Sequence, residues 1–125
     1  VIDEIGLPDP SFFIFYDDVD FAVRARQAGF HIWALRDARL VRQLEFNQQH
    51  DLSGWKGFYM YRNLFVVHLR HGENVFVRAK PWLITLGAVL LSPVRGGRAE
   101  ARNVIRAMRS ARGMRSLTSS ARPPR

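Results

Sequence analysis

The segment from Phe12 to Gly29, FFIFYDDVDFAVRARQAG, constrains the fold more than any other part of this chain. Its first five residues are aromatic or branched, which favours a buried strand over Phe12 to Tyr16. Three carboxylates follow at Asp17, Asp18 and Asp20, and acidic residues favour the start of a helix because the helix dipole is positive there. The segment therefore predicts a strand-to-helix junction, a position from which a carboxylate reaches a bound substrate.

Other patterns predict a second strand and three further helices. A helix over about residues 19–28 ends at Gly29, which suits a left-handed C-cap. A strand is predicted over Phe30–Leu35, followed by a turn at Arg36 and Asp37 and a surface loop over 42–54. A helix is predicted over Trp55–Arg70. A final helix is predicted over 98–111, before a disordered tail from Thr118.

Composition limits the chain to one domain or a piece of one. It has 125 residues, of which 47% are hydrophobic, and it contains no cysteine. Disulfides and thiolate metal sites are thereby excluded, which favours a cytosolic setting. The chain begins at Val1 without a signal-peptide pattern, so we interpret the start as truncated.

Positive charge is concentrated at the C-terminal end. Residues 93–125 hold nine arginines against the single acid Glu100, whereas residues 1–92 carry ten basic and ten acidic groups. An arginine-faced amphipathic helix of this kind predicts binding to an anionic membrane surface. Nucleic-acid binding is the rival interpretation, but the tail has no nucleic-acid fold signature and few aromatics, and a merely solvated tail is a third.

A charge-free run, PWLITLGAVLLS, begins at Pro81. It is shorter than the ~20 residues that a membrane-spanning helix needs. The run is therefore either a core helix or a segment that lies in the membrane interface.

The acidic cluster has two interpretations on spacing alone. Carboxylates before a helix commonly act as caps. A carboxylate at such a corner also accepts a proton from a hydroxyl nucleophile as that nucleophile attacks.

A resemblance to a known family bears on this choice. Residues 4–70 resemble the second half of the catalytic domain of family 2 glycosyltransferases, and the stretch WKGFYMYRN is similar to the aromatic and Arg-Asn helix of actinobacterial rhamnosyl and galactofuranosyl transferases. The matching positions in the first half are Phe12, Phe13, Tyr16, Asp17, Asp18, Asp20, Arg24, Gly29, Asp37 and Ala38, and those in the helix are Trp55, Phe58, Tyr59, Arg62 and Asn63.

The resemblance implies an α/β fold, namely a partial GT-A domain that lacks its N-terminal nucleotide-binding half and is followed by C-terminal helices. It implies transfer of a sugar from a nucleotide-sugar donor to a glycan or lipid-linked acceptor, with inversion, in cell-wall or polysaccharide synthesis. Asp18 matches the catalytic base, Asp17 supports it, and Asp20 contributes to acceptor binding or holds the loop in shape. Phe12, Phe13 and Tyr16 are expected to pack beneath the site.

The family's divalent metal, Mg²⁺ or Mn²⁺, is held mainly by the half that this chain lacks, so the chain alone is expected to be inactive. Where members often place a metal-binding histidine, this sequence has Arg42, which is expected to bind the leaving diphosphate. His50 is the nearest alternative metal ligand, or a solvated loop residue. His68 and His71 have the spacing of a metal pair but no evident third ligand, so a core or surface position is favoured for both.

Trp55 follows Gly54 at the end of a loop. It either belongs to the aromatic core stripe of its helix or stacks on an acceptor sugar. Together these interpretations divide the chain into a catalytic piece (1–72), an apolar helical segment with a linker (73–97), and a basic helix with its tail (98–125). They place the protein peripherally on the cytoplasmic face of a bacterial plasma membrane. The alternative is a non-catalytic basic module that binds a membrane surface or nucleic acid.

Overall fold

The computed structural model describes residues 1–41, 54–94 and 97–118, with the side chains of 115–118 left aside. These residues form five α-helices and one 3₁₀ turn. The elements are α1 (Ile2–Ile5), the 3₁₀ turn (Pro10–Phe12), α2 (Asp17–Gln27), α3 (Trp55–His71), α4 (Val75–Leu91) and α5 (Gly97–Thr118).

The core forms where α3 packs along α5. Phe65 and Val66 of α3 meet Val104 and Met108 of α5, and all four are buried. Phe12 enters the same cluster from the 3₁₀ turn and has no exposed surface. The N-terminal segment is thereby fixed on the helical core through one fully buried aromatic ring.

The α/β prediction is wrong, because the described residues contain helices and turns but no strand. Phe12 ends the 3₁₀ turn, and Phe13, Phe15 and Tyr16 have φ angles of 60°, 65° and 65°. A strand requires negative φ and a neighbouring strand to pair its backbone groups. The aromatic composition that favoured a strand instead supplies a buried ring and contacts with α3.

The second predicted strand, over Phe30–Leu35, is also absent from the described part of the chain. Ile32, Trp33 and Leu35 of this segment are exposed. Its β-branched and aromatic residues have no partner strand among the described residues, so propensity alone does not order them into a sheet. The turn predicted at Arg36 and Asp37 is confirmed.

The helices predicted near residues 19–28 and 55–70 are confirmed, with small shifts of their ends. Helix α2 begins at Asp17 with Tyr16 as N-cap, so neither Asp17 nor Asp18 is the cap. Gly29, just past its end, has φ +92°, the left-handed conformation expected of that glycine.

Helix α4 begins at Val75, six residues before the predicted start at Pro81. The side chain of Asn74 accepts a hydrogen bond from the Val77 amide at 2.9 Å and caps the helix. Pro81 therefore lies inside the helix, where it lacks an amide donor but is buried against the core.

Helix α5 extends past the predicted end at residue 111, to Thr118. Its apolar face packs into the core, where Val104, Ala107, Met108, Ala111 and Met114 are buried. Ile105 on the same helix is only half-buried. Among the described residues, no helix combines the length and the apolar character needed to cross a membrane. Of the loop predicted over 42–54, residues 42–53 lie outside the described residues, and so does the tail beyond Thr118.

Candidate functional site: an acidic loop held by helix α3

The candidate site is the loop that leads from Phe12 into α2. Phe13, Phe15 and Tyr16 all have positive φ, a conformation that is unusual for bulky side chains. Each such residue costs about 1–3 kcal/mol and persists only where its surroundings impose it. The loop must therefore be held by other parts of the molecule.

Asn63 of α3 holds the loop from below. Its side chain is fully buried, and its Nδ2 donates to the carbonyl oxygens of Phe12 at 2.8 Å, Ile14 at 2.6 Å and Phe15 at 2.9 Å. An amide has two hydrogens, so at least one of them is shared between two carbonyl oxygens. A single side chain thus satisfies three backbone acceptors of the loop.

Arg62 adds a second attachment beside Asn63. Its Nη2 donates to the carbonyl oxygens of Ser11 at 2.6 Å and Phe12 at 3.1 Å, while its Nε donates to Asn63 Oδ1 at 2.8 Å. Its guanidinium lies 4.6 Å from the centre of the Tyr59 ring. Burial lowers the pKa of Arg62, while the nearby groups of Tyr59 and Asp9 act to raise it and only partly offset the effect of burial. The guanidinium remains a cation at neutral pH.

Asp17 and Asp18 stand at the end of this loop, in the first turn of α2, and both are exposed. Asp18 Oδ1 accepts a hydrogen bond from the Val19 amide at 2.8 Å. No ion pair joins either carboxylate to another of the described residues. The loop therefore presents two carboxylates whose charge is not neutralised by the described part of the protein.

Asp20 has a different environment from the other two acids. It is only 2% exposed, its Oδ2 accepts from Arg24 Nε at 2.9 Å, and its Oδ1 lies 2.8 Å from His71 Nε2. Burial acts to raise the pKa of Asp20, but hydrogen bonds from His71 and Arg24 outweigh it and lower the pKa below its usual value. This buried, fully partnered carboxylate joins α2 to α3 and leaves no open oxygen for an acceptor.

Arg70 extends this network to the start of the chain. Its Nη1 lies 2.8 Å from Asp9 Oδ2 and 3.6 Å from Asp20 Oδ1. Burial acts to raise the pKa of Asp9, but hydrogen bonds from Ser11 and Arg70 lower it overall. Arg24 completes the attachment, since its guanidinium donates to the carbonyl oxygens of Ile5 and, at 3.1 Å, Leu7.

The two histidines at the spacing of a metal pair have separate partners. His71 binds Asp20, and His68 Nδ1 lies 2.8 Å from the carbonyl oxygen of Leu64 in its own helix. Within the described ranges, no three His, Cys, Asp or Glu side chains are grouped as metal ligands.

An exposed aromatic row lies along α3 beside the loop. Phe13 is 71% exposed, and its ring lies 5.2 Å from the Tyr59 ring, which lies 6.2 Å from that of Trp55. Trp55 is 56% exposed, so it does not belong to the core. Phe12 packs beneath the loop as predicted, whereas Phe13 lies on its outer surface.

The sequence analysis singled out Asp17, Asp18 and Trp55 as candidate site residues but did not predict that Asn63 and Arg62 support the loop. A signal was present, because Asn63 lies among the apolar residues of a helix face and a buried polar side chain requires partners. The predicted diphosphate ligand Arg42 and the alternative metal ligand His50 lie outside the described residues, so they stay predictions.

Comparison of the chain with protein-family models, curated proteins and solved structures gave no match.

Proposed function

We propose that this chain supplies the acceptor-activating part of an inverting glycosyltransferase. The observation that carries the proposal is the strained aromatic loop, which Asn63 and Arg62 hold in place and which ends in the exposed pair Asp17 and Asp18. Backbone strain that the surroundings over-determine is concentrated at functional sites. A general base must lie within hydrogen-bond reach of the hydroxyl that it deprotonates, and the exposure of Asp18 leaves it accessible to an acceptor.

In the proposed reaction, the Asp18 carboxylate takes the proton of an acceptor hydroxyl as that oxygen attacks the anomeric carbon of a nucleotide-sugar. The new glycosidic bond forms while the bond to the nucleoside diphosphate breaks, and the leaving group departs with the electron pair. The anomeric configuration inverts, and Asp18 later releases its proton to water. Asp17 maintains negative charge beside the base, and Asp20 is a positioning residue.

The exposed rings of Phe13 and Trp55, with the half-buried ring of Tyr59 between them, support a carbohydrate acceptor. Aromatic faces provide apolar area on which the C–H face of a sugar stacks, while hydroxyl groups remain free for hydrogen bonds. The donor, and the Mg²⁺ or Mn²⁺ that such donors commonly require, would be bound outside the described residues. No step above depends on that metal.

The location that accompanies this proposal is the cytoplasmic face of a bacterial membrane. Helix α5 carries exposed arginines at Arg98, Arg102, Arg106, Arg109 and Arg112. Each cation near an anionic lipid surface contributes about 1 kcal/mol of attraction. A lipid-linked acceptor would be held at the same surface.

The test compares Asp18→Asn with Asp3→Asn in cells that express the protein from its own gene. Asp3 is also exposed and lies in the first turn of a helix, so its substitution matches the change in charge. Membrane extracts are supplied with radiolabelled nucleotide-sugars, and incorporation into the lipid and glycan fractions is measured. We expect Asp18→Asn to lower transfer by about 100-fold or more, in line with the loss of a general base, and Asp3→Asn to have little effect.

Donor binding is measured in parallel by equilibrium dialysis and should be unchanged by Asp18→Asn. Transfer at the wild-type rate with the Asp18→Asn protein refutes the assigned base. Absence of transfer and of donor binding with the wild-type protein favours the alternative of a non-catalytic basic module.

A further inference from the structure

Helix α4 exposes a continuous apolar stripe. At 100° per residue, one side of this helix over about 140° carries only apolar side chains. These residues are Val75, Phe76, Ala79, Trp82, Leu83, Leu86, Val89 and Leu90. All of them except the half-buried Ala79 are exposed, and Phe76, Leu83 and Leu90 are each at least 65% exposed.

The opposite side of α4 accounts for its packing. Pro81 is buried, and Ile84 and Ala88 pack against the core cluster. The exposed stripe therefore does not take part in packing α4 against the core. Contiguous exposed apolar surface of this kind marks an interaction site rather than ordinary surface variation.

Cations border the stripe on both sides. Arg78 and Lys80 are exposed and fall on its two flanks, since they lie about 20° and 40° beyond its outermost residues at 100° per residue. From α5, the Arg112 guanidinium lies 5.3 Å from the centre of the Trp82 ring. A tryptophan with a cation beside it suits the boundary between apolar chains and charged headgroups.

We infer that α4 lies in the surface plane of an anionic lipid bilayer, with this stripe inserted among the acyl chains and Arg78, Lys80 and Arg112 at the headgroups. This inference deepens the proposed membrane location and does not depend on sugar transfer. The sequence patterns had assigned membrane binding to the helix that begins near Arg98 and had left the run from Pro81 as either a core helix or a segment in the membrane interface. Most apolar residues of the Arg98 helix are instead buried, with Val104, Ala107 and Met108 in the same cluster as residues of α3, so α4 is the helix that exposes a continuous apolar stripe.

Charge complementarity selects lipid over a second copy of the chain. Residues 75–118 contain nine basic residues and one acid, Glu100, which is bonded to Tyr61. A symmetric dimer through the stripe would bring identical cationic borders together. An anionic bilayer offers both apolar depth for the stripe and negative charge for its borders.

The test measures flotation of the 125-residue chain with vesicles of phosphatidylcholine alone or mixed with phosphatidylglycerol. The variants are Leu83→Glu with Leu90→Glu on the stripe, and Leu35→Glu with Leu40→Glu as a control on leucines outside α4 that are more exposed. A third variant, Leu83→Ser with Leu90→Ser, removes apolar surface without adding charge. Circular dichroism verifies that each variant retains its helices.

We expect the wild type to bind the anionic vesicles, and both stripe variants to reduce partitioning by about tenfold or more, because each loses several inserted carbon atoms. The Leu35 and Leu40 control should change partitioning by less than about threefold. In a variant with Trp82 as its single tryptophan, anionic vesicles should shift the emission to the blue, and brominated lipid should quench it.

Three results overturn the inference. Equal binding of the stripe and control variants means that arginines attach the chain without insertion, which leaves the membrane location intact. Failure of the wild type to bind anionic vesicles removes both the insertion and the location, but not the role of Asp18. Concentration-dependent dimerisation in ultracentrifugation that is abolished by the stripe variants, without vesicle binding, assigns the stripe to a second copy.

Discussion

Replacement of Asn63 tests whether hydrogen bonds from α3 hold the acidic loop in its strained conformation. Asn63→Leu keeps the number and branching of the side-chain heavy atoms and removes the polar groups, although the two methyl groups occupy more volume. Asn63→Asp keeps the shape and the acceptor for Arg62, but it replaces the donating amide by an oxygen that faces three carbonyl oxygens. The two variants therefore separate the effect of the donor from the effect of packing.

The expected cost follows from the acceptors that lose their partner. The carbonyl oxygen of Phe12 keeps a hydrogen bond from Arg62 at 3.1 Å, whereas those of Ile14 and Phe15 lose the bond that Asn63 provides. An unsatisfied buried acceptor costs about 1–3 kcal/mol, and these two are partly buried, so Asn63→Leu should lower the free energy of unfolding by about 2–4 kcal/mol. Asn63→Asp should cost at least as much, because it adds repulsion between oxygens.

Thermal unfolding followed by circular dichroism measures this cost, and a loss of stability of that size lowers Tm by roughly 10 °C in a chain of this length. Amide resonances of residues 13–16 report whether the loop leaves its positive-φ conformation. If Asn63→Asp unfolds within ~2 °C of the wild type and its loop resonances do not move, the loop does not depend on the Asn63 donor. The proposed presentation of Asp17 and Asp18 would then lose its structural basis.

Two further predictions concern the buried acid and two glycines. Asp20→Asn should lower the free energy of unfolding by about 2–4 kcal/mol, since it leaves partly buried cations without their counter-charge. The folded pKa of Asp20, like that of Asp9, is below the ordinary value of 3.8, so its stabilisation is complete above that pH and is lost as the pH falls through the lowered pKa. Urea unfolding from pH 6 to pH 2 should show this loss in the wild type and a shallower one in Asp20→Asn; an equal slope would remove Asp20 from this role. Gly72→Ala should destabilise the protein by about 1–3 kcal/mol, because its Cβ would lie 2.5 Å from the His68 carbonyl oxygen. In contrast, Gly87→Ala meets nothing within 4 Å and should stabilise α4 by about 0.5–1 kcal/mol, and similar effects of the two alanines in thermal unfolding would contradict this packing.

Helices α2, α3 and α5 were predictable because each has a local cause. The apolar periodicity of α3 and α5 and the acidic start of α2 operate within a few turns. The predicted strands failed because a strand is completed by a partner that local sequence does not specify. The start of α4 was predicted wrongly at Pro81, where the charge-free run begins. The helix instead begins at Val75, because the side chain of Asn74 caps it.

For the candidate site, the sequence located the acids but not their environments. Asp17, Asp18 and Asp20 have the same chemistry and adjacent positions, and only the tertiary contacts separate the exposed pair from the buried one. The partners of Asp20 lie both four residues away, at Arg24, and 51 residues away, at His71. The first partner follows from helical spacing, whereas the second depends on how α2 packs on α3.

Helical geometry connects the buried acid to the exposed one. Asp18 and Asp20 are two residues apart in α2, and two residues correspond to a rotation of about 200° around a helix axis. When Asp20 faces His71 at the end of α3, Asp18 must therefore lie on the side of α2 that faces away from His71. The orientation of the proposed base is thus determined jointly by the Asp20 network, which fixes the rotation of α2, and by Asn63, which fixes the loop that enters it. Loss of the Asp20 network or of Asn63 should therefore shift the position of Asp18 without a change at Asp18 itself. Both attachments end on the same helix, α3.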